Sequence, residues 1–394
     1  MAFWQTVINR VKPGGRGLAE QKSQSQALVS VHSVGRPVWT PRDYEALARE
    51  GFAKNAIAYR CIRMVAEAAA SIPLEVRINK RRDDQHPVAQ LLARPNPEQG
   101  GRDYFEAAYG FLQTAGNAYL EYSDLGDGHG ELYVLRPDRM KVIPGAQGWP
   151  QGYEYSVGGR SIKLTRDGDG FLPVLHLKLF HPAHDHYGFS PLEAAAFAID
   201  IHNASGAWNK ALLDNAARPS GALVYSGREG AEHLTAEQFD RLKSELQDAH
   251  TGPQNAGRPV LLDGGLDWKP MSMSPSDMDF MQAKNSAARE IALAFGVPPM
   301  LLGIPGDNTY ANFREAQVAF WRQTAVPLAE KTARMLTAWL GTRFSGLSVH
   351  CDLDEVTALS AEREALWARL AAATFLSDEE RRRMAGLDAG DGAS

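Results

Sequence analysis

The stretch from residue 274 to residue 341 constrains the fold most, because two long helical patterns flank a short loop rich in proline and glycine. The first helix is predicted to begin within Ser274–Ser276, where either serine can cap it, and to stop at Gly296. The second is predicted over Asn312–Leu340, with Asn312 as its cap and a kink at Pro327, which removes a backbone donor. A loop held between two long helices has little freedom, so we expect a positioned loop rather than a linker.

The region from residue 55 to residue 186 mixes helical and β-rich patterns. Helices are predicted at 55–70, 86–92 and 103–115, and strands at 73–78, 118–122, 131–135, 139–143, 153–157, 161–164 and 173–180. The strands after residue 117 are short and separated by Gly or Asp turns, which is typical of an antiparallel meander. This region is therefore predicted to be α+β.

A long helix is predicted from Pro191 to about Ala216, because Ser190 can cap it and proline is favoured at the first helical position. At 1.5 Å per residue the helix would be ~39 Å long, which suits a strut. Its weak apolar stripe is typical of a helix that packs on several sides, as helices do in a ring. A β-α-β-β insert follows, with a capping box at Thr235–Gln238 and two strands predicted to pair across Asp263–Gly265.

The charge balance bears on the class of partner. The chain carries 42 Lys and Arg against 47 Asp and Glu, a net charge of −5. A protein that grips DNA tightly normally has a basic face and a high pI, so a tight DNA binder is not indicated.

Length and residue usage set further bounds. A chain of 394 residues exceeds the size at which one core keeps growing, so two or three structural regions are expected. No apolar run reaches the roughly 18 residues of a membrane span, so none is predicted. Cys61 and Cys351 both lie in apolar patterns, which favours buried free thiols in a reducing compartment.

One cluster suggests metal chemistry. His176, His181, His184 and His186 could offer nitrogen ligands to zinc. The last three lie between a predicted strand and a helix cap, where no regular scaffold is expected to fix the rings, so a polar surface loop is favoured. A metal-dependent hydrolase using His181, His184 and His186 is the alternative hypothesis from another functional class.

Common catalytic signatures are missing. The dipeptide Gly-Lys does not occur, so the sequence contains no Walker-type phosphate loop. Neither G-x-S-x-G nor H-E-x-x-H occurs, which are the signatures of esterase-like and zinc-peptidase sites.

The order of these features resembles the portal proteins, the head-to-tail connectors of long-tailed bacteriophages and related gene transfer agents. The resemblance begins with a long helix that ends in FGVPPMLLG, a loop carrying GDNTYAN, and a kinked second helix. Further matching segments are HDHYGFSPLEAA, AARPSGAL, NAGRPVLLDGGLDW and LSDEERRRMAGL. The resemblance extends over residues 55–387 and depends on the order of the motifs more than on any one of them.

The resemblance implies a structural, non-enzymatic subunit that forms a closed ring at one capsid vertex, typically a dodecamer, without cofactor or metal. Double-stranded DNA would pass along its axis during packaging and ejection, through sequence-independent contacts. The expected partners are the major capsid protein, the terminase large subunit and the head-tail adaptor, with no membrane. The subunit would belong to a virion or gene-transfer-agent particle that is assembled in the bacterial cytoplasm.

Two sets of site residues follow from the same resemblance. The tip of a tunnel loop that projects toward DNA is expected to consist of Asp307, Asn308, Thr309 and Tyr310. The clip, which meets terminase and adaptor, is expected to use Arg228, Phe239, Arg241, Lys243 and Trp268.

The implied fold class is α+β, a portal-type fold with a wing, long stem helices, a small α/β clip, a kinked long helix and a short helical crown. The expected segments are a flexible N-terminal arm (1–40), the wing with antiparallel strands (41–189), a stem helix (190–217), the clip (218–274), a second stem helix (275–296), the tunnel loop (297–311), the kinked helix (312–341), a return to the wing (342–359), and a short crown and tail (360–394).

Overall fold

A computed structural model describes most of the chain. The described residues are 39–126, 129–214, 221–225, 237, 240–241, 244, 266–270, 280–306 and 310–385. All of them fall within one unit defined by its internal contacts. No helix in these ranges combines the length and the hydropathy that a membrane crossing requires.

The helices follow the predicted order closely. They are α1 (Tyr44–Leu47), α2 (Ala56–Ala70), α3 (Pro87–Ala93), α4 (Gly101–Ala115), α5 (Pro191–Ala194), α6 (Ala196–Asp214), α7 (Phe280–Ala294), α8 (Tyr310–Phe320), α9 (Val326–Leu340), α10 (Ser360–Ala372) and α11 (Asp378–Met384). A π-helical segment, Ala48–Ala53, follows α1, and a second one, Trp321–Ala325, joins α8 to α9.

The strands form small antiparallel sheets. They are β1 (Leu74–Ile78), β2 (Arg81–Arg82), β3 (Asn117–Gly126), β4 (His129–Leu135), β5 (Met140–Pro144), β6 (Pro150–Val157), β7 (Arg160–Thr165), β8 (Val174–Lys178), β9 (Gly221–Tyr225), β10 (Leu266–Pro270) and β11 (Leu347–Cys351). The sheet orders are β11-β1-β2, β4-β3-β8, β5-β6-β7 and β10-β9. The mixture of helices and antiparallel sheets confirms the α+β class.

The predicted single meander between residues 118 and 180 is wrong, because the chain makes two sheets there. Strand β8 pairs with β3, with His176 opposite Tyr119, instead of extending β7. The physical reason is burial: residues Asn117–Leu120 of β3 and Val174–Leu177 of β8 are buried, whereas β7 is almost entirely exposed. Strand β3, whose first residues are buried on both faces, has neighbours on both edges, β4 and β8, while the exposed β7 remains at the edge of its sheet.

Local capping explains three helix starts that the sequence predicts. The Asn55 side chain accepts hydrogen bonds from the backbone N–H groups of Ile57 and Ala58, at 3.1 and 3.0 Å. Ser190 accepts from the N–H of Glu193 at 2.9 Å, and Ser377 forms a reciprocal capping box at α11. Each side chain satisfies donors that have no partner within the helix.

The main core lies where helices α2, α4, α7 and α9 meet strand β3. Ile62, Tyr109, Leu120, Ile291 and Leu336 come from these five elements, and each is at most 2% exposed. Burial of one such aliphatic side chain stabilises the fold by about 1.5–3 kcal/mol. Helices α6 and α7 pack against each other, and both contribute buried side chains to this core, which fixes the pair to the body of the protein.

The long helices differ in detail from their predicted form. The helix after Ser190 is interrupted at Ala195 before α6 continues to Asp214, and residues 215–216 lie outside the described ranges. Helix α8 begins at Tyr310, so the predicted cap Asn312 lies inside the helix. The irregularity expected at Pro327 takes the form of the π-helical segment Trp321–Ala325, after which Pro327 occupies the first turn of α9, where its missing N–H is not needed.

Several predicted features lie outside the described residues. They are the N-terminal arm, the caps at Ser274 and Ser276, the capping box at Thr235, and the strand pairing across Asp263–Gly265. Strand β10 pairs with β9, with Trp268 opposite Leu223. Of the two thiols, Cys61 is buried as predicted, whereas Cys351 is partly exposed.

Candidate channel loop

The loop that follows α7 starts with a glycine that is required for two reasons. Gly296 has φ +65°, a left-handed conformation that other residues adopt rarely. A Cβ atom at this position would lie 2.8 Å from Thr324 Oγ1. Thr324 donates a hydrogen bond of 2.7 Å to the Gly296 carbonyl, so the π-helical segment before α9 holds the end of α7 directly.

A single 3₁₀ turn, Pro299–Leu302, forms the next part of the loop. Gly303 ends the turn in a left-handed conformation, and the Ile304 N–H then donates to the carbonyl of Pro299 at 3.3 Å. Ile304 is only 5% exposed, so its side chain anchors the loop to the protein. The two prolines and these anchors give the loop a fixed path as far as residue 304.

The outer end of the described loop is also held. The Arg289 guanidinium, on α7, donates a hydrogen bond to the Pro305 carbonyl. The loop is thus joined to α7 by Arg289 and to the segment before α9 by Thr324. This geometry confirms that the loop is positioned and is not a free linker.

The predicted tip falls at the edge of what the structure describes. Asp307, Asn308 and Thr309 lie outside the described residues, and Tyr310 is the first residue of α8. Beyond it, the side chains of residues 312–315 are all exposed, and Phe313 is 40% exposed. Among residues 312–320, Phe320 is the first whose side chain is buried, so the first turns of α8 project away from the core.

The predicted clip residues are brought together only in part. Arg228, Phe239 and Lys243 lie outside the described residues, whereas Arg241 is helical and exposed. Trp268 lies in β10, which pairs with β9. The described part of the segment 218–274 thus contains the strand pair β9–β10 and the helical residues 237, 240–241 and 244.

The histidine loop has a geometry that does not suit a metal. His181 Nδ1 accepts a hydrogen bond from the backbone N–H of Ala183 at 3.0 Å, and His184 Nδ1 accepts from those of His186 and Tyr187 at 3.2 and 3.3 Å. A neutral ring whose Nδ1 accepts a backbone N–H carries its proton on Nε2, so neither nitrogen offers a free lone pair to zinc. Within the described ranges, no group of three or more His, Cys, Asp or Glu residues could hold a metal ion.

The expectation that nothing fixes these rings is wrong. Backbone N–H groups of the following residues donate to Nδ1 of both His181 and His184 and so fix the two rings. A cavity of about 280 Å³ lies beside them, and its lining includes Arg42, Tyr44 and Glu193. The residues that line the cavity include both a cation, Arg42, and the carboxylates Asp138 and Glu193, which is not a recognisable catalytic arrangement. The structure therefore gives the hydrolase hypothesis no support.

His176 lies in strand β8, whereas the other three histidines lie in the loop that follows this strand. It is 9% exposed, stacks on Tyr119 with ring centroids 4.3 Å apart, and hydrogen-bonds through Nε2 to Asn117 Oδ1 at 2.9 Å. The same Asn117 oxygen accepts the Gly188 N–H at 2.7 Å. Burial, with Lys178 and His186 as smaller causes, lowers the pKa of His176 from 6.5 to about 3, so the ring is neutral at pH 7.

Sequence reasoning missed the residues that position these loops. Arg289 and Thr324 hold the channel loop, and Asn117 holds the segment that leads into α5. No motif marks them, since each acts on a backbone group at least 16 residues away. Of the residues that shape the start of this loop, Gly296 is the one that the sequence marks, because a glycine is the predicted end of α7.

The architecture, a pair of packed helices with a braced loop on an α+β body, is that of the portal fold. The chain belongs to the phage portal protein family, because the sequence model of that family matches residues 56–386.

Solved structures and relatives agree with this assignment. A chain in the neck of an empty gene transfer agent (GTA) particle computed with C6 symmetry is 53% identical, with a TM-score of 0.71 over 90% of this chain and 96% of that one. A chain in the neck of a native GTA particle computed with C12 symmetry is 52% identical, with a TM-score of 0.69 and the same coverage. The probable portal protein of Streptomyces phage phiC31 is 25% identical over 93% of this chain and 81% of its own length.

Proposed function

We propose that the chain is the portal subunit of a gene transfer agent or a related phage-like particle. Copies of it form a closed ring in the neck, and double-stranded DNA passes along the ring axis during packaging and ejection. The observation that carries this proposal is the 53% identity, over 90% of the chain, to a chain from a GTA neck. The match spans nearly the whole of both chains, so it is not confined to one segment of either.

The ring is proposed to contain twelve copies. The C12 symmetry used for one similar neck supports this number. The C6 symmetry used for the neck of the empty particle is compatible with twelve copies, because a twelvefold axis contains a sixfold axis. Such a ring joins each copy to the next through two different surfaces of the subunit.

The segments proposed for the channel are α6, α7 and the loop after α7. The loop is held by Arg289 and Thr324 up to residue 306, which supports a role in which residues 307–310 are presented at a constant position. These four residues offer hydrogen-bonding groups and little positive charge, so they would touch DNA without holding it. Contacts to the phosphate backbone need no sequence recognition.

The remaining segments are proposed to serve partners. Residues 41–189 would form the wing that contacts the major capsid protein, and residues 218–274 the clip that meets the terminase large subunit and the adaptor. The chain is proposed to have no catalytic activity of its own, since its sequence lacks a phosphate-binding loop. The terminase would supply the work of packaging.

The proposal is tested by deleting the gene for this chain in the cell that produces the particle. We expect the loss of nuclease-protected DNA from the particle fraction, and its recovery when the wild-type chain is supplied again. Undiminished protected DNA without the chain would contradict the proposal. Metal analysis of the purified chain tests the alternative: stoichiometric zinc that is lost in His181→Ala and His184→Ala would favour a hydrolase.

A further inference from the structure

Asn55, His202 and Asn203 form a polar network between the start of α2 and the middle of α6. Asn55 is 1% exposed, and its side-chain nitrogen donates to Asn203 Oδ1 at 2.9 Å and lies 3.2 Å from His202 Nδ1. The side-chain nitrogen of Asn203 donates in turn to the Glu50 carbonyl at 2.9 Å. The network therefore joins α6 both to the first turn of α2 and to the π-helical segment before it.

Backbone groups at the two ends of the network fix the direction of each hydrogen bond. Asn55 Oδ1 accepts the N–H groups at the start of α2, so the side-chain nitrogen of Asn55 faces α6 with both of its hydrogens. Asn203 turns its nitrogen toward the Glu50 carbonyl, so its Oδ1 accepts one of these hydrogens. The other is left for His202 Nδ1, which must accept it. The ring is therefore neutral, with its proton on Nε2.

His202 is the member of the network that changes charge near neutral pH, since the others are amides and a backbone carbonyl. A proton on Nδ1 removes the acceptor and sets an N–H group against the buried side chain of Asn55, whose second hydrogen then lacks a partner. Partial burial and the ammonium group of Lys284, on α7, lower the pKa of His202 from its ordinary 6.5. The neutral, accepting ring is therefore the form present at pH 7.

The charged groups on the elements around His202 do not offset a proton on its ring. They are Arg49, Glu50 and Lys54 in or next to the π-helical segment, Asp200 on α6 and Lys284 on α7. The Glu50 carboxylate is bound to Arg49 and Lys54, and the Asp200 carboxylate is bound to Thr40. Lys284 repels a charged ring. Protonation of His202 is thus opposed as long as the network is intact.

We infer that this network is a pH-sensitive switch between α2 and α6, closed while His202 is neutral and open once Nδ1 carries a proton. Opening frees the side chain of Asn55, which weakens the cap of α2, and releases α6 from the π-helical segment. The inference stands on the network alone and does not depend on the proposed function.

The size of the response follows from proton linkage. When the network opens, the ring regains its ordinary pKa of 6.5, so the open fraction can rise at most about thirtyfold between pH 7.5 and pH 5. The rise is smaller to the extent that the closed form also takes up protons. We therefore expect a rise of about three- to thirtyfold.

Hydrogen exchange at the amides of Ile57 and Ala58 measures the opening, because Asn55 Oδ1 protects both. Rates are corrected for the intrinsic effect of pH and compared with amides in the middle of α4, which report global unfolding. His202→Asn keeps an acceptor at the place of Nδ1 but cannot titrate, so the rise should vanish. His202→Phe offers no acceptor, so its exchange should already be fast at pH 7.5. His350→Asn, at an exposed position of β11, is the matched control and should respond to acid like the wild type.

A distance measurement tests the release of α6. Spin labels at positions 60 and 207, which are exposed on α2 and α6, report the separation of the two helices. We expect the distance distribution to be broader at pH 5 than at pH 7.5 in the otherwise wild-type chain, and equal at the two pH values in His202→Asn.

The outcomes decide the inference without touching the portal function. Exchange at Ile57 and Ala58 that does not rise with acid, or that rises equally in His202→Asn, would overturn the switch. An unchanged distance distribution at pH 5 would overturn the release of α6. If His202→Phe does not fold, the comparison of the wild type with His202→Asn still decides.

Discussion

Protonation of one buried histidine, in strand β8, is expected to make the stability of the fold sensitive to acid. His176 lies between Tyr119 and Asn117, and burial lowers its pKa from 6.5 to about 3. In the unfolded chain the ring regains its ordinary pKa, so the unfolded state binds more protons between these two values. The free energy of unfolding therefore decreases as the pH falls from 6.5 toward 3.

The magnitude follows from the two pKa values. With 6.5 in the unfolded chain and about 3 in the folded one, the loss between pH 7 and pH 5 is about 2 kcal/mol. His176→Gln removes this contribution, since glutamine does not titrate and its side-chain amide can still donate to Asn117. The matched control is His350→Gln, at an exposed position of β11.

The assay is urea unfolding at pH 7 and pH 5, at one fixed protein concentration because oligomers gain stability by mass action. Other groups titrate in the same range, so the informative quantity is the difference between variants. We expect wild type and His350→Gln to lose about 2 kcal/mol more than His176→Gln over this interval. Equal losses in all three proteins would refute the assignment of a buried, neutral His176.

Further predictions concern a backbone contact, a thiol and the channel loop. Gly188→Ala places a Cβ 2.1 Å from the Gly116 carbonyl oxygen, so we expect a loss of at least ~2 kcal/mol in urea unfolding, whereas Gly110→Ala, where a Cβ meets nothing within 4 Å, should be neutral or stabilising. Burial raises the pKa of the Cys61 thiol to about 12, so mass spectrometry of iodoacetamide-treated protein at pH 8 should find Cys61 alkylated only after unfolding; rapid alkylation of the native chain would contradict this. Deletion of residues 307–310 should leave rings intact in electron micrographs but reduce the protected DNA per particle, and normal DNA content would argue against a DNA-contacting tip.

The sequence predicted the parts of the fold that depend on neighbouring residues. Ser190 caps its helix as expected, and Asn55 and Ser377 act in the same way at two other helices, because a cap requires only a side chain and the N–H groups two or three residues later. The order of the helices and the end of α7 at Gly296 follow from the same local rules. The family could be inferred because the order of such local motifs is itself specific.

Contacts between distant residues could not be predicted in this way. The pairing of β8 with β3 depends on which strands are buried, and short apolar strands carry no signal that selects one neighbour over another. The expected kink at Pro327 took the form of a π-helical segment, from which Thr324 donates to the Gly296 carbonyl, 28 residues away, and no local pattern marks that contact. The supports of the channel loop, Arg289 among them, act on backbone carbonyls and leave no pattern in the sequence.

Electron microscopy of particles that carry a tagged copy of this chain tests the central claim most directly. We predict a closed ring in the neck, with twelve tagged subunits around a central channel that contains DNA in full particles. Intact, DNA-filled particles whose neck ring does not contain the tagged chain would contradict the account.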